Sequence, residues 1–346
     1  MSDLNIRRTG MAGRITLTRP QALNALTRDM CARIDAALTE WEAQDDVALV
    51  ILDAAGDRAF CAGGDVAEIY ARATAGDHDY ARAFWRDEYR MNRRLFRFPK
   101  PVVAFMQGIV MGGGVGLACH GSHRVVCDGT TVAMPEAGIG LVPDVGGSLI
   151  LARAPGRLGE YLGTTAARMG PEDAIHAGFA DYFIPREDWP KLIERLETLG
   201  DPGLVDNAAM GPGASPLGAQ QDRIDGWFAG DALIHVVNAL RADDSDFARE
   251  TLDRLAQVSP LSAACTLELV RRVRGPDSIE TALGIEYRFT SRATEHSDFL
   301  EGVRAQIIDK DKAPRWRHAG PDKVPAADVA RMLMPLGKEA LTFSDI

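Results

Sequence analysis

Apolar residues in the first 200 positions follow two alternating patterns. Short apolar runs, several of them β-branched, predict strands at 14–18, 47–54, 101–108, 123–129 and 131–136. Apolar residues at helical spacing predict helices at 27–41, 66–72 and 80–97, the first of them capped by Thr27. Strands that alternate with helices are typical of an α/β sheet, built here from a repeat of two strands and one helix.

The pattern changes after residue 200. Residues 201–218 are rich in Gly, Pro, Ala and Ser, which predicts a loop or linker. Beyond it the pattern is helical at 231–240 and 246–258, and a further helix opens at Ser259-Pro260 with proline in its first position. We therefore divide the chain into a core at 1–200, a linker or loop region at 201–230 and a helical C-terminal region at 231–346.

Composition and charge narrow the class of protein. The chain has 346 residues, 46% hydrophobic and 25% charged, with a net charge of −10. An acidic surface argues against nucleic-acid and anionic-membrane partners, and no apolar run has the length of a membrane span. The N-terminus has no hydrophobic signal core, so we expect a cytoplasmic protein.

The cysteines and histidines do not predict a metal or disulfide framework. The five cysteines (Cys31, Cys61, Cys119, Cys127 and Cys265) are odd in number and lack metal-finger spacing. We expect reduced thiols that fill small buried spaces. His120 and His123 lie three positions apart without an obvious third ligand, so we expect no metal site.

Two glycine-rich turns each follow a predicted strand and open a predicted helix: "FCAGGDV" at 60–66 and "MGGGVG" at 111–116. Each glycine in a helix costs roughly 1 kcal/mol relative to alanine, so three in a row indicate that other atoms approach the backbone closely. One amide from each turn could hold the developing oxyanion of an acyl-transfer reaction. Close packing of a helix against a strand is the alternative.

Two acids lie in the apolar segment "MPEAGIGLVPDVGG" at 134–147. A carboxyl group in apolar surroundings has a raised pKa and can act as acid, base or nucleophile near neutral pH. Glu136 and Asp144 are therefore candidate catalytic residues. The alternatives are an ion pair between Glu136 and an arginine, and an N-cap role for Asp144 on the following helix.

These segments, together with "RPQALNALT" at 19–27 and the stretch 286–316, resemble the crotonase, or enoyl-CoA hydratase/isomerase, superfamily. Within it they are most similar to the branch that hydrolyses 3-hydroxyisobutyryl-CoA. The resemblance extends over nearly the whole chain and is weakest at 201–230. It implies a spiral of ββα units followed by a helical region, an acyl-CoA substrate with no other cofactor, and a possible trimer or hexamer.

The resemblance also implies roles for individual residues. It assigns the oxyanion to the amides of Gly64 and Gly113, catalysis to Glu136, and contact with the substrate to Asp144. Further substrate-binding residues implied in the same way are Glu88, Ala22, Ala62, Asp65 and Val66. Arg19, Lys310 and Lys312 are candidates for contact with the CoA phosphates.

One position departs from the wider superfamily. Enoyl-CoA hydratases carry a first glutamate two residues after the glycine triplet, and this chain has Gly116 there. We therefore expect hydrolysis of a short β-hydroxyacyl-CoA thioester, as in valine catabolism. An unusual enoyl-CoA hydratase or isomerase, and a non-catalytic module that binds CoA or a protein, remain the alternatives.

Overall fold

The computed structural model describes residues 3–343, so the ends of the predicted segments 1–200 and 231–346 lie outside the described residues. Within that range the strands are β1 (Leu4–Thr9), β2 (Ala12–Leu17), β3 (Leu49–Ala54), β4 (Ala59–Cys61), β5 (Val102–Met106), β6 (Ile109–Met111), β7 (His123–Val126), β8 (Thr131–Ala133) and β9 (Tyr182–Phe183). The first helices are α1 (Arg28–Glu42), α2 (Val66–Thr74), α3 (His78–Arg97), α4 (Gly113–Ala118), α5 (Gly147–Arg153), α6 (Leu158–Thr165), α7 (Pro171–His176) and α8 (Trp189–Leu199).

The remaining helices are α9 (Gly203–Ala208), α10 (Gln221–Trp227), α11 (Leu233–Arg241), α12 (Asp246–Gln257), α13 (Pro260–Arg274), α14 (Ile279–His296), α15 (Phe299–Val303) and α16 (Ala326–Met332). Among the described residues, no helix is both long and apolar enough to cross a membrane.

The predicted repeat of two strands and a helix is confirmed. β3, β5 and β7 lie side by side in a six-stranded sheet of order β1-β2-β3-β5-β7-β9. Their successors β4, β6 and β8 form a second, three-stranded parallel sheet. Each turn of the chain thus adds one strand to each sheet, and the carboxyl ends of β4 and β6 carry the two glycine-rich turns.

The sequence pattern does not predict β1. Its segment "LNIRRT" contains two adjacent arginines, and only Leu4 of its six residues is buried. It forms because it pairs antiparallel with β2, with Leu4 opposite Leu17 and Thr9 opposite Ala12. An edge strand needs little apolar character of its own when the neighbouring strand supplies the hydrogen bonds.

The predicted loop at 201–218 is partly wrong, because it contains α9, and α10 follows within the predicted linker region. Asp201 lies before the helix, and its side chain accepts a hydrogen bond at 3.0 Å from the amide of Gly203, the first residue of α9. Leu204 and Val205 are buried in a core shared with α8 and strands of the six-stranded sheet. Burial of these two side chains outweighs the poor helix propensity of the surrounding glycines and prolines.

The described chain forms two compact units, each assembled from separate stretches. The first unit contains residues 1–64, 87–133 and 169–218, and holds both sheets. The second unit contains residues 65–86, 134–168 and 219–346, and is mainly helical. The division into three consecutive segments drawn from composition stays a prediction.

Helix α13 packs against α5, α6 and α14 in the second unit. Its predicted start is confirmed: the Ser259 hydroxyl accepts a hydrogen bond from the Ser262 amide at 3.1 Å, and Pro260 occupies the first turn. The same hydroxyl donates to Asp298 at 2.6 Å. One serine thereby fixes both the start of α13 and the segment that precedes α15.

Candidate active site

The first glycine turn, at 62–64 in the first unit, is tied to the segment 23–26. The Ala62 amide donates to the Leu23 carbonyl at 3.0 Å, and the Leu26 amide donates to the Gly63 carbonyl at 2.8 Å. Gly63 has φ of +118°, a conformation that side-chain-bearing residues rarely adopt. The backbone of the turn therefore depends on glycine at position 63, and Gly64 follows directly after it.

Asn24 ties the segment 23–26 to the start of β4, the strand that leads into this turn, and the sequence pattern did not predict this contact. Asn24 is fully buried, and its side-chain amide donates to the carbonyls of Ala59 at 2.9 Å and Ala55 at 3.1 Å. Its own backbone has φ of +56°, which asparagine tolerates better than most residues. The available signal was a single asparagine within the otherwise apolar segment "ALNAL" at 22–26.

The second glycine turn, at 112–114, approaches the first turn closely. A Cβ at Gly114 would lie 2.3 Å from the Cys61 carbonyl oxygen, so only glycine fits there. A Cβ at Gly113 would lie 3.2 Å from the Gly64 amide nitrogen. Close packing accounts for Gly114, while Gly113 has the additional property that its backbone adjoins that of Gly64. The structure thus brings together the two glycines predicted to supply amides.

Glu88 lies beside the same two glycines. It is a buried residue of α3, with a relative exposure of 2%. Its Oε1 atom would lie 2.6 Å from a Cβ added at Gly113. The first unit therefore brings Gly64, Gly113 and Glu88 close together, with the Glu88 carboxyl group next to the backbone of the glycine turn. Their roles toward a substrate stay predictions.

Glu136 begins a short 3-10 helix, Glu136–Ile139, in the second unit. Its relative exposure is 4%. The carbonyl oxygens of this helix are bonded to the surrounding backbone: that of Glu136 accepts from the Leu141 amide at 3.0 Å, and that of Ala137 from the Ser259 amide at 2.9 Å. These bonds fix the backbone from which the Glu136 side chain projects.

Close backbone packing around Gly140 and Gly302 holds the other end of this helix. Gly140 has φ of +76°, and a Cβ there would lie 2.4 Å from the Asp298 carbonyl carbon. A Cβ at Gly302 would lie 2.3 Å from the carbonyl of Ile139. The Ser297 hydroxyl adds a hydrogen bond to the Gly140 carbonyl at 3.1 Å. The C-terminal segment 297–302 thus clamps the helix that carries Glu136.

Asp144 lies in a fully buried stretch, since every residue from 141 to 150 is buried. The alternative role for its side chain, as the N-cap of α5, is not observed. Gly146 occupies the N-cap position, without a capping side-chain bond of its own. Asp144 contributes to this turn through its backbone carbonyl, which accepts from the Gly147 amide at 2.6 Å.

Glu286 caps α5 instead, from helix α14. One oxygen accepts from the Gly146 amide at 2.9 Å, and the other accepts from the Ser148 amide at 3.1 Å and from the Ser148 hydroxyl. Complete burial raises the pKa of Glu286 to about 8, and the negative charge of Asp144 adds to this rise. The second unit therefore places a third acid near Asp144.

The sequence reasoning missed Glu286 as a functional candidate, although its segment contributed to the family resemblance. The available signal was an acid within the apolar stripe of α14, between Leu283 and Phe289, both fully buried. Its contacts lie 138 and 140 positions away along the chain, so no local pattern could identify them.

The other residues implied to bind substrate fall in two groups. Ala22 ends a short 3-10 helix, Pro20–Ala22, and with Ala62 belongs to the first unit. Asp65 and Val66 begin α2 in the second unit, and the side chain of Asp65 makes no capping bond to that helix. The structure therefore associates Ala22 and Ala62 with the glycine turns, and Asp65 and Val66 with the unit that contains Glu136.

Two of the three candidates for CoA phosphate contact, Arg19 and Lys312, already have hydrogen-bond partners. The Arg19 guanidinium donates to the Ala25 carbonyl at 2.7 Å, and the Lys312 ammonium donates to the Gln306 carbonyl at 3.0 Å. Lys310 and Lys312 both have positive φ, of 57°. Their role toward CoA stays a prediction.

The cysteines are free and buried. Burial raises the pKa of Cys61 and of Cys119 to about 12, so both remain thiols at neutral pH. This protonation state favours the packing role over nucleophilic catalysis. Across residues 3–343, no group of three or more His, Cys, Asp or Glu residues is arranged to hold a metal ion.

Comparison of the sequence with known families and curated proteins gives full-length similarities. The profile of the family described as "Enoyl-CoA hydratase/isomerase" matches residues 12–333. A Homo sapiens protein named "3-hydroxyisobutyryl-CoA hydrolase, mitochondrial" is 36% identical over 352 residues, which are 99% of this chain and 91% of that protein. The Rattus norvegicus protein of the same name is 37% identical over 353 residues, with 99% and 91% covered.

Two solved structures are similar throughout. One, described as an enoyl-CoA hydratase from Rhodobacter sphaeroides 2.4.1, has 54% sequence identity and a TM-score of 0.94, and the match covers 99% of this chain and 100% of that one. The other, described as a carnitinyl-CoA dehydratase from Mycobacterium thermoresistibile, has 42% identity and a TM-score of 0.95, with both chains fully covered. These similarities confirm the predicted crotonase-like fold.

Proposed function

The chain belongs to the enoyl-CoA hydratase/isomerase family, and from this premise we propose that it hydrolyses the thioester of 3-hydroxyisobutyryl-CoA or a closely related short β-hydroxyacyl-CoA. Relatives that carry the hydrolase name match 99% of the chain, which supports an acyl-CoA thioester hydrolase. Valine breakdown is the setting in which such a substrate arises.

The observation that carries the proposal is the glycine at position 116. It is buried within α4, and its amide bonds to the Gly112 carbonyl at 3.1 Å. By resemblance, hydratases place a glutamate there to bracket the attacking water with a second glutamate. A buried glycine supplies no acid, so this chain retains only Glu136 of that pair. One acid with an oxyanion hole suffices for acyl transfer, whereas water addition to an enoyl group uses two.

The reaction adds water across the carbonyl carbon–sulfur bond and yields a carboxylic acid and CoA thiol. In one route the Glu136 carboxylate attacks the thioester carbonyl, expels CoA thiolate and forms an anhydride, which water then hydrolyses. In the other, Glu136 accepts a proton from the water that attacks the carbonyl. In both, the amides of Gly64 and Gly113 stabilise the oxyanion of the tetrahedral intermediate.

Asp144 is assigned to substrate recognition, with Glu88 as a further contact. Asp144 is almost fully buried, with a relative exposure of 4%, and an ionised carboxyl group accepts hydrogen bonds. The 3-hydroxyl of the substrate is a donor of the kind that it accepts from. A site that hydrogen-bonds a hydroxyl can discriminate against the analogue that lacks it by about 10⁴-fold in favourable cases.

Replacement of Glu136 by glutamine tests the proposal. The side chain keeps its size and loses its basicity, so thiol release from 3-hydroxyisobutyryl-CoA should fall about 100-fold or more while the fold is retained. Glu194→Gln, at an exposed position of α8, is the matched control and should behave as the parent chain. Parent-like thiol release by Glu136→Gln would exclude the assigned role.

The remaining expectations about the molecule stay predictions. The curated relatives are named as mitochondrial proteins, whereas the sequence reasoning expects a cytoplasmic one. A trimer or hexamer, and a reaction that needs no cofactor besides the CoA of the substrate, are likewise predictions for this chain.

A further inference from the structure

We propose that Glu286 is a positioning residue whose carboxyl group holds the turn at 144–148 in the conformation that presents Asp144 to the substrate hydroxyl. This inference rests on the proposed function, because it gives Glu286 a part in the recognition assigned to Asp144. Glu286 itself need not touch the substrate.

The contacts of Glu286 span the turn. Oε2 accepts from the Gly146 amide at 2.9 Å, and Oε1 accepts from the Ser148 amide at 3.1 Å as well as from the Ser148 hydroxyl. Both carboxyl oxygens are therefore used, on two backbone groups separated by one residue. A bidentate arrangement of this kind fixes orientation as well as distance.

The turn that Glu286 holds is strained. Val145 has φ of +54° and Gly146 has φ of +78°, two consecutive residues in the left-handed region. A β-branched residue is a true outlier there, and such backbone persists only where its surroundings over-determine it. Asp144 directly precedes Val145, so relaxation of Val145 would turn the Asp144 side chain away from its present direction.

A purely structural cap would not require a buried acid. The start of a short helix is ordinarily capped by a serine, threonine, asparagine or aspartate close by in sequence. Here the acceptor is a fully buried carboxyl group on α14, and burial is costly for its charged form. The Glu286 and Asp144 carboxyl groups also influence each other electrostatically. Through Glu286, helix α14 therefore holds the turn that begins at Asp144.

The experiment compares Glu286→Gln with the parent chain on two thioesters, 3-hydroxyisobutyryl-CoA and isobutyryl-CoA. Glutamine retains the size of the side chain but has only one acceptor oxygen, so the turn should relax. We expect kcat/KM for 3-hydroxyisobutyryl-CoA, divided by kcat/KM for isobutyryl-CoA, to fall on the order of tenfold or more. A small misplacement of the Asp144 carboxylate would weaken its hydrogen bond to the substrate hydroxyl. Turnover of isobutyryl-CoA should change much less.

Glu280→Gln is the matched control. It makes the same chemical change on the same helix, at a half-buried position where the carboxylate accepts a hydrogen bond from the Ser278 hydroxyl at 3.1 Å. Its ratio should equal that of the parent chain. If Glu286→Gln does not fold, Ser148→Ala, which removes one of the three donors, answers the same question with a smaller expected change.

Two outcomes would overturn the inference. One is a folded Glu286→Gln that loses stability but keeps the parent ratio, which would make Glu286 structural only. The other, where Ser148→Ala is used, is an unchanged ratio in that variant. Binding of the matched non-hydrolysable thioethers, with and without the hydroxyl, separates this inference from the proposed function. If the parent chain releases no thiol, the proposed function fails, whereas loss of the thioether preference in Glu286→Gln would still support the inference.

Discussion

Glu136 and Asp144 share one buried segment but are held in different ways. Glu136 projects from a 3-10 helix whose carbonyl groups are bonded at 2.9 and 3.0 Å to neighbouring backbone. Asp144 lies at the start of a strained turn braced from α14. In the proposed function, the first arrangement fixes the reacting group, and the second fixes the direction of the group that binds the substrate hydroxyl.

Removal of the Asp144 carboxylate should therefore affect recognition more than chemistry. In Asp144→Ala, kcat/KM for 3-hydroxyisobutyryl-CoA should fall about 100-fold or more, with a much smaller effect on isobutyryl-CoA. The measurement is thiol release from both thioesters at equal enzyme concentration. An equal loss on the two substrates would mean that Asp144 supports the fold of the turn rather than the hydroxyl.

Individual residues were predictable from the sequence where their chemistry is local. Glycine runs and acids in apolar segments are visible in a short stretch, and they led to the two glycine turns, Glu136 and Asp144. The family resemblance then singled out Gly64 and Gly113 within those turns. Glu286 was not accessible in this way, because its partners lie 138 and 140 positions away. The role of a buried acid such as Glu286 depends on the hydrogen-bond partners that the tertiary structure places around it.

At the level of elements, the two glycine turns place the starts of α2 and α4 at the ends of neighbouring strands, β4 and β6. The three glycines at 112–114 differ in what each allows. Gly114 lets α4 pack on β4, since a Cβ would meet the Cys61 backbone at 2.3 Å. A Cβ at Gly113 would lie 2.6 Å from the far end of the Glu88 side chain and 3.2 Å from the Gly64 amide nitrogen.

This difference predicts distinct phenotypes for two neighbouring substitutions. Gly113→Ala should lose less thermal stability than Gly114→Ala, because the atom nearest to its Cβ is the end of a side chain rather than backbone. It should still lose about 100-fold or more in kcat through disturbance of the oxyanion amides. Gly114→Ala should lose stability, because the Cys61 backbone cannot yield. Thermal unfolding and thiol release, measured on both variants, check the pair. Equal destabilisation of the two would contradict the separate roles.

Hydrophobic periodicity predicts β2, β3, β5, β7, β8, α1, α2 and α3, because each of these elements buries apolar residues of its own. β1 and α9 are two of the elements that the pattern does not predict, and they share a reason. β1 depends on hydrogen bonds from β2, and α9 depends on the burial of Leu204 and Val205 against a core formed by distant strands. The two adjacent arginines of β1 gave no apolar strand pattern, and the glycines and prolines around α9 predicted a loop.

At the level of the whole molecule, the buried acid Glu286 should make the free energy of unfolding depend on pH. The pKa of Glu286 is raised by burial from 4.5 to about 8. Between these values the folded chain binds a proton that the unfolded chain does not, so this group makes folding less favourable as pH rises. The effect begins near the lower pKa and is complete above the upper one.

Glu286→Gln removes that titration and provides the comparison. As pH rises from about 5 to about 8, the free energy of unfolding of the parent chain should fall relative to that of the variant. Denaturant titrations at several pH values in this window measure it. A difference that is independent of pH would mean that Glu286 titrates near its ordinary value in the folded chain.

The family relationship of the whole chain allows two reactions, because solved relatives described as a hydratase and a dehydratase match it as fully as the curated hydrolases do. The most direct test is to measure CoA thiol release from 3-hydroxyisobutyryl-CoA and hydration of crotonyl-CoA on one preparation. Because Gly116 supplies no second acid, we expect thiol release from 3-hydroxyisobutyryl-CoA and no hydration of crotonyl-CoA. Hydration of crotonyl-CoA without thiol release would contradict this expectation.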